Sequence, residues 1–500
     1  MPAEAPYQIW VRRAFWTLAL LYVIPFWVVN HIPTTDGPCH LYNAWVLRQL
    51  NDPAEYPRFA EYYAVDPRPH PNWLTHGVLY LLTAVLRPLV AEKVLVSGYV
   101  LLFLAGMWSL CSAVRPDCRW TALLTFPFVF HQFFQLGFYN FSLSLGLMLL
   151  AVAFWWKHRN GFTLGAAVQL NLLLLVLWFA HIVSFLFALM AIGVLWLLSL
   201  RRPWRPRLVQ AAALLPQLAL PLWFLSVQGT AWYPTRLSVD SLVRYLLRLE
   251  VLFTFSDLQL RAAAVLALIF LGLALWTLVA RRTLWQREDG FLVMALLAVA
   301  VYFLSPEGVS GGSLLKQRLT LYPYLFLIPW LAPSAGRVLR GVLAGALTLL
   351  AAVNLGYVVY WYDVLGREME TYLAGFEKVA PNTRVLPLLF DRRSAAAMGP
   401  YGHAAAYAAL EKGLIDWDNY AAATDLFPVR YKKRPDRATI RSIEFRPGSF
   451  PLARRRDEID YVHTWSMPPD APIVRTLERK YQKIWAEGRG ALYMRRNLRF

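Results

Sequence analysis

The sequence predicts a polytopic membrane protein: an all-α transmembrane domain over residues 1–362 with about eleven helices, then a small extracytoplasmic α/β domain over 363–500. Three observations predict it. Of 500 residues, 58% are hydrophobic and only 16% charged, against about 25% charged in soluble domains, and mean hydropathy is +0.40. Apolar runs recur at lengths near the roughly 17–25 residues that cross a bilayer as helix. Beyond Asp363 these runs stop and mixed polar sequence takes over.

The elements follow in order. Arg12 and Arg13 precede an apolar run from Ala14 to Val29, and His31-Ile-Pro-Thr-Thr follows without a small-x-small cleavage site, so the first segment reads as an uncleaved anchor. Spans are drawn at 14–32, 93–114, 120–136, 141–156, 162–180, 181–200, 208–227, 260–280, 290–305, 321–335 and 338–362. A further apolar stretch, Trp73 to Val90, is decided by charge. Counting it as a span places Lys157/Arg159, Arg201 to Arg207 and Arg281/Arg282 outside, against the tendency of cytoplasmic loops to collect Lys and Arg. Laid at the outer interface instead, it leaves all these groups inside with Arg12/Arg13, Arg115/Arg119 and Arg337/Arg340. The N-terminus is then cytoplasmic and Asp363 to Phe500 lies outside.

In the C-terminal region, β-like runs (Arg384 to Phe390, Tyr461 to Trp465, Ala491 to Met494) alternate with helical ones (His403 to Lys412, Ile473 to Gln482). The 21 Trp and 25 Tyr suit the two membrane interfaces. The net charge of +19 is largely explained by cytoplasmic loops, so no nucleic-acid partner is expected. Cys39, Cys111 and Cys118 have no paired spacing, which excludes a disulfide framework and a zinc motif. No Walker loop, dinucleotide fingerprint, HExxH or GxSxG occurs, so ATP-driven transport and hydrolase chemistry have no support.

This topology gathers four segments on one outer face: Pro33 to Asn72, Gln135 to Asn140, Gln228 to Asp257 and Pro306 to Arg318, with His181 at the same level. The first loop, 33–92, opens Pro33-Thr-Thr-Asp36-Gly-Pro-Cys-His40-Leu-Tyr-Asn43 ahead of an amphipathic helical stretch, Leu41 to Leu50. Asp-Gly-Pro is a turn signal; an interfacial carboxylate beside His40 is also placed to act as general base on a hydroxyl. Lys316 and Arg318 follow Ser305-Pro-Glu-Gly-Val-Ser-Gly311-Gly312-Ser on the side where charge is disfavoured. They read either as cations reaching back to lipid headgroups or as holders of a lipid phosphate. His181 reads as an interfacial histidine or a catalytic one. Asn140-Phe-Ser142 matches a glycosylation sequon by coincidence, and Asp416-Trp-Asp418 reads as solvated surface without further metal ligands.

The layout resembles the C-type superfamily of multipass glycosyltransferases (GT-C), which includes protein O-mannosyltransferases and aminoarabinose transferases acting on lipid A. A single first helix, a long outer loop opening on Asp36, and Pro69-His-Pro-Asn-Trp-Leu-Thr-His-Gly-Val-Leu-Tyr80 before a juxtamembrane helix are similar to that superfamily's pattern. The resemblance implies inverting transfer of a sugar from a polyprenyl-phosphate donor to a glycan, lipid or protein acceptor at the outer face of the cytoplasmic (inner) membrane. It implies Asp36 as catalytic carboxylate and Arg318, with Lys316, on the donor phosphate, stabilising its growing charge. His181 and Tyr139 would be further contacts, and Asn140, His40 and Asp66 complete the expected substrate-binding set.

Many members of that superfamily carry an acidic residue at the turn where this chain has Gln135 and Asn140. Asp66 and Glu61 are the alternatives for Asp36's partner, and no cofactor or metal is expected. The rival readings are a polymerase or ligase of lipid-linked glycans, which would favour several arginines in one large late loop, and a transporter, which would favour mid-membrane charges or an internal repeat.

Overall fold

The computed structural model describes residues 6–50, 52, 54–198, 204–228, 232–281, 283, 285–309, 312–433, 435–496 and 498. Arg201 to Pro203, Arg282 and Gly311, used in the sequence reading, lie outside the described residues. Among the described residues the fold is mostly helical, with three small sheets. It divides into two compact units: Met1–Ile24 with Ser97–Phe134 and Asn140–Val359, and Pro25–Val96 with Gln135–Tyr139 and Tyr360–Phe500.

Among the described residues, six helices are long and apolar enough to cross a membrane: Tyr7–Trp27, Pro88–Val114, Tyr139–His158, Arg207–Val227, Asp257–Val279 and Arg337–Lys378. Three further apolar helices, Leu164–Ala180, Ile182–Leu197 and Asp289–Leu304, are shorter. Their 16 or 17 residues give about 24–26 Å at 1.5 Å per residue, somewhat less than a hydrocarbon core of about 30 Å.

Four expected spans are not continuous α-helices: 14–32 breaks between Leu21 and Ile24, 208–227 passes through the 3-10 segment Leu215–Leu218, and two more depart further. Over 120–136 the chain winds as a 3-10 stretch, Pro116–Phe128, with non-helical backbone at Cys118, and then forms the short helix Gln132–Gln135. Pro127 lies inside that stretch and lacks the N–H that an α-helix needs. Over 321–335 the helix Leu321–Leu327 passes into the turn Ile328–Trp330, again at a proline, Pro329. In the stretch set aside by charge, the helix Leu74–Leu82 has nine residues, far too few to cross.

In the first unit, Gly106 and Gly146 let two helices approach closely. A Cβ on Gly106 would lie 2.7 Å from the Gly146 carbonyl oxygen, the kind of small-residue contact that substitutes for hydrophobic driving force where lipid is the solvent. Ser144, Ser184 and Tyr322 form a buried hydroxyl chain, at 2.6 and 2.7 Å, so each of these three hydroxyls has a partner.

The second unit is built on a five-stranded mixed sheet, in spatial order Ile415–Asp416, Arg384–Leu389, Tyr461–Trp465, Gly490–Arg495 and Tyr481–Glu487. The first two pairings are parallel and the last two antiparallel. The central strand Tyr461–Trp465 is buried at every position, as a strand covered on both faces must be. Pro387 is tolerated in Arg384–Leu389 because the Ile415–Asp416 strand pairs only with Arg384 and Val385. Two residues on from Val385, Pro387 faces the same side after that partner has ended, so no ladder bond is lost.

The expected helix Ile473 to Gln482 is shorter, Val474–Lys480, because Tyr481 and Gln482 begin the edge strand. Asp460 ties the sheet together. It accepts from Arg384 Nε at 2.9 Å, Arg384 Nη2 at 2.8 Å and Arg495 Nη2 at 3.1 Å, and is 1% exposed.

The helix Gly37–Gln49 differs from the amphipathic stretch expected at Leu41 to Leu50. It is buried at nearly every position, because the Ala-rich helix Ala405–Lys412 and the helix Leu74–Leu82 both pack on it. Small side chains from Ala404 to Ala409 permit that close approach.

Candidate active site

Asp36 occupies the N-cap position of Gly37–Gln49, but its side chain makes no capping bond. The turn and the carboxylate are therefore separable: backbone contacts hold the loop, and the side chain faces His403 and Tyr420 and does not cap the helix. Asp36 N–H donates to the Leu136 carbonyl at 2.9 Å and Thr35 N–H to that of Gln135 at 3.2 Å. Gly137 makes this clasp possible. Its φ is +84°, and a Cβ there would lie 2.3 Å from Gly37 N and 2.7 Å from Asp36 N, so both the backbone conformation and the space require glycine.

The loop is clasped from a second direction. His403 N–H donates to the Thr35 carbonyl at 3.2 Å, which brings the imidazole beside Asp36, with Nε2 at 3.6 Å from Asp36 Oδ1 and 3.7 Å from Glu444 Oε1. Nδ1 meets the Asp418 carbonyl at 3.1 Å and Asp418 Oδ2 at 3.3 Å. Tyr420 lies over the ring, 4.7 Å between centroids, and its hydroxyl engages Asp36. Burial by itself disfavours the imidazolium, but the carboxylates of Asp418, Asp36 and Glu444 outweigh it and His403 is pushed up to about 10. Burial, together with the neighbouring charge of Asp418, pushes Asp416 up to about 7. Glu444 is raised as well, mainly by burial.

This overturns the reading of Asp416-Trp-Asp418 as solvated surface, since the two carboxylates are 1% and 2% exposed. The strand Ile415–Asp416 draws them under the sheet, and Asp418 N–H donates to Asp416 Oδ1 at 2.9 Å. His403, Asp418, Tyr420 and Glu444 were missed by sequence reasoning. The paired aspartates were the available signal, but nothing in their spacing reveals burial.

Of the other expected residues in this unit, His40 stands one helical turn beyond Asp36 and meets the Tyr420 hydroxyl at 3.5 Å. It lies among His76, Phe427 and Tyr139, and burial holds its pKa well below the usual histidine range. Tyr139 bonds Thr34 at 2.9 Å and donates to Glu92 at 2.9 Å, while Tyr407 donates to the other Glu92 oxygen at 2.8 Å. Asp66 is engaged elsewhere, by Arg68 Nε at 2.9 Å and His70 at 3.3 Å. Although burial opposes it, the Arg68 pairing dominates and Asp66 sits far below the usual carboxylate range. Glu61 is exposed.

In the first unit, His181 separates the helices Leu164–Ala180 and Ile182–Leu197 and caps the second, its Nδ1 accepting from Val183 N–H at 3.2 Å. Its Nε2 lies 3.0 Å from Arg318 Nη1. A neutral imidazole has one lone-pair nitrogen, so it accepts from Val183 or from Arg318, not both. The Arg318 guanidinium also lies over Phe133 and Phe141, at 5.8 and 5.6 Å. Lys316 is 1% exposed and donates to the Tyr302 and Phe303 carbonyls, each at 2.9 Å. It thus serves the open C-terminal carbonyls of Asp289–Leu304, and it is not extended toward headgroups. Asn140 is buried, at 4% exposure, in the first turn of Tyr139–His158.

The chain matches no protein-family model and no curated protein. Fold and site together define a class: a helical protein with, among the described residues, six helices long and apolar enough to cross a membrane and a largely buried imidazole–carboxylate cluster.

Proposed function

We propose that the chain is a multipass glycosyltransferase of the cytoplasmic membrane, with about eleven spans, a cytoplasmic N-terminus and an extracytoplasmic C-terminal domain, moving a sugar from a polyprenyl-phosphate donor to an acceptor hydroxyl or amine. Asp36 is the general base. It takes the acceptor proton as the new bond forms at the anomeric carbon and the bond to the donor phosphate breaks, releasing polyprenyl phosphate. The guanidinium of Arg318 is assigned to that phosphate.

The observation that carries the reading is the state of Asp36. A carboxylate at a helix N-terminus ordinarily caps it, yet this one leaves the cap unused and faces His403 and Tyr420. A protonated imidazole beside the base holds it in position and keeps it ionised, and so able to accept a proton. The sugar arrives activated by phosphate, so no nucleotide site is needed, consistent with the missing phosphate loops.

The test is transfer of labelled sugar from synthetic polyprenyl-phosphate donors by purified protein, compared with Asp36→Asn. The variant is expected to lose about 10²–10⁴-fold in turnover while still being expressed and folded. Turnover close to the wild type would remove Asp36 from the chemistry. For topology, a reporter fused after Arg207 should read cytoplasmic and one after Arg496 extracytoplasmic.

A further inference from the structure

We propose that His403, Asp418 and Glu444 form a divalent-cation site, specific for a first-row transition ion of the Zn2+ or Mn2+ kind. The inference goes beyond the proposed reaction and does not depend on it.

The three side chains each offer a ligand atom, all within 4.8 Å of one another. An ion with bonds of about 2.1 Å holds its donor atoms at most about 4.2 Å apart, so rotations of a few tenths of an ångström close the site. His403 binds an ion through one ring nitrogen only; through Nδ1 it has Asp418 Oδ2 at 3.3 Å, already in that range.

Two independent observations point to a cation. First, Asp418 Oδ1 and Asp416 Oδ2 are buried and without a hydrogen-bond partner among the described residues, while their residues are 2% and 1% exposed. A buried carboxylate oxygen left bare is costly, and an ion held by both oxygens of Asp418 satisfies its Oδ1. Second, charge does not balance. Asp36, Asp418 and Glu444 face one imidazole, and Asp416 adds a further carboxylate. Beyond them the nearest cation acting on the cluster is Arg392, whose Nη2 is spent on the Glu444 backbone carbonyl at 2.7 Å. With its carboxylates ionised the cluster is negative even with the imidazole protonated, and a bound cation balances that charge.

The donor set selects the kind of ion. An imidazole with carboxylates suits zinc or manganese, whereas magnesium and calcium favour oxygen alone. Asp36 adjoins this centre through its Oδ1 contact to His403, so an ion there fixes the orientation of the loop Thr34–Gly37.

The experiment uses the full chain purified in detergent, stripped with chelator and titrated calorimetrically with zinc chloride and, separately, manganese chloride. One ion per chain is expected, with a rise in melting temperature. Asp418→Asn and Glu444→Gln should each weaken binding about tenfold or more, while Glu478→Gln, an exposed carboxylate of the same unit, should leave it unchanged. Glu444 is only partly buried, so its variant reports even where Asp418→Asn disturbs folding. Absence of binding at millimolar metal, or binding that all three variants retain, overturns the site. Sugar transfer that persists in stripped protein leaves the ion a structural role; loss of transfer with binding intact in Asp36→Asn separates this site from the catalytic assignment.

Discussion

The two units place opposite kinds of charge at their polar centres. In the first, the Arg318 guanidinium lies against an imidazole and two aromatic faces, and Lys316 is held by two backbone carbonyls. In the second, carboxylates outnumber cations around His403. The difference teaches that burial has been compensated by different means. Aromatic quadrupoles and helix-end carbonyls stabilise cations without cancelling their charge, which leaves a field suited to an anion such as phosphate. A carboxylate cluster stabilises positive charge and accepts protons.

The sheet that supports the acidic centre offers the strongest way to break this contrast. Asp460→Ala leaves Arg384 and Arg495 without their shared carboxylate and should cost about 3–5 kcal/mol, read as a lowered melting temperature. The same group sets an acid limit. Burial opposes its ionisation, yet the pairing with Arg384 lowers its pKa below the usual value. Its stabilisation is therefore complete above the unfolded value, near pH 4, and is lost as pH falls through the folded one. Melting that does not change below pH 4 would remove Asp460 as the cause.

Next is Gly137→Ala. The strain of positive φ and the overlap with Asp36 and Gly37 together predict a loss of about 2–4 kcal/mol, with transfer activity falling further than stability because the displaced loop carries Asp36. A variant with wild-type melting would show that the loop yields.

On the cationic side, Arg318→Ala should raise the donor KM about 10–100-fold, the worth of a charged hydrogen bond, and Arg318→Lys less, since charge survives without the planar fork. Equal and negligible effects would deny it a phosphate. The smallest effect is expected at Lys316→Met, about 1 kcal/mol of stability from the lost carbonyl bonds and no change in donor KM. A large KM effect would move Lys316 into the anion site.

Much of the helical framework was legible because apolar length is a local property. The spans drawn at 14–32, 93–114 and 260–280 appear as Tyr7–Trp27, Pro88–Val114 and Asp257–Val279, with starts seven, five and three residues earlier. Proline limits the method: Pro127 and Pro329 are visible in the sequence, but hydropathy counts them inside spans that the backbone does not form as α-helix.

Asp36 was legible as a position: the sequence puts a carboxylate just beyond the first apolar run, and the catalytic role is the proposal made for it. By itself the sequence determined that most of this chain suits hydrocarbon, and that an acid stands where the first helix ends. Only the tertiary structure decided that His403, Asp418 and Glu444 join it. Those residues lie hundreds of positions from Asp36, and the backbone bonds Thr35–Gln135 and His403–Thr35 bring them together. Burial raises the value of every charge in that cluster, and burial is a property of the assembled neighbours, which residue order does not encode locally.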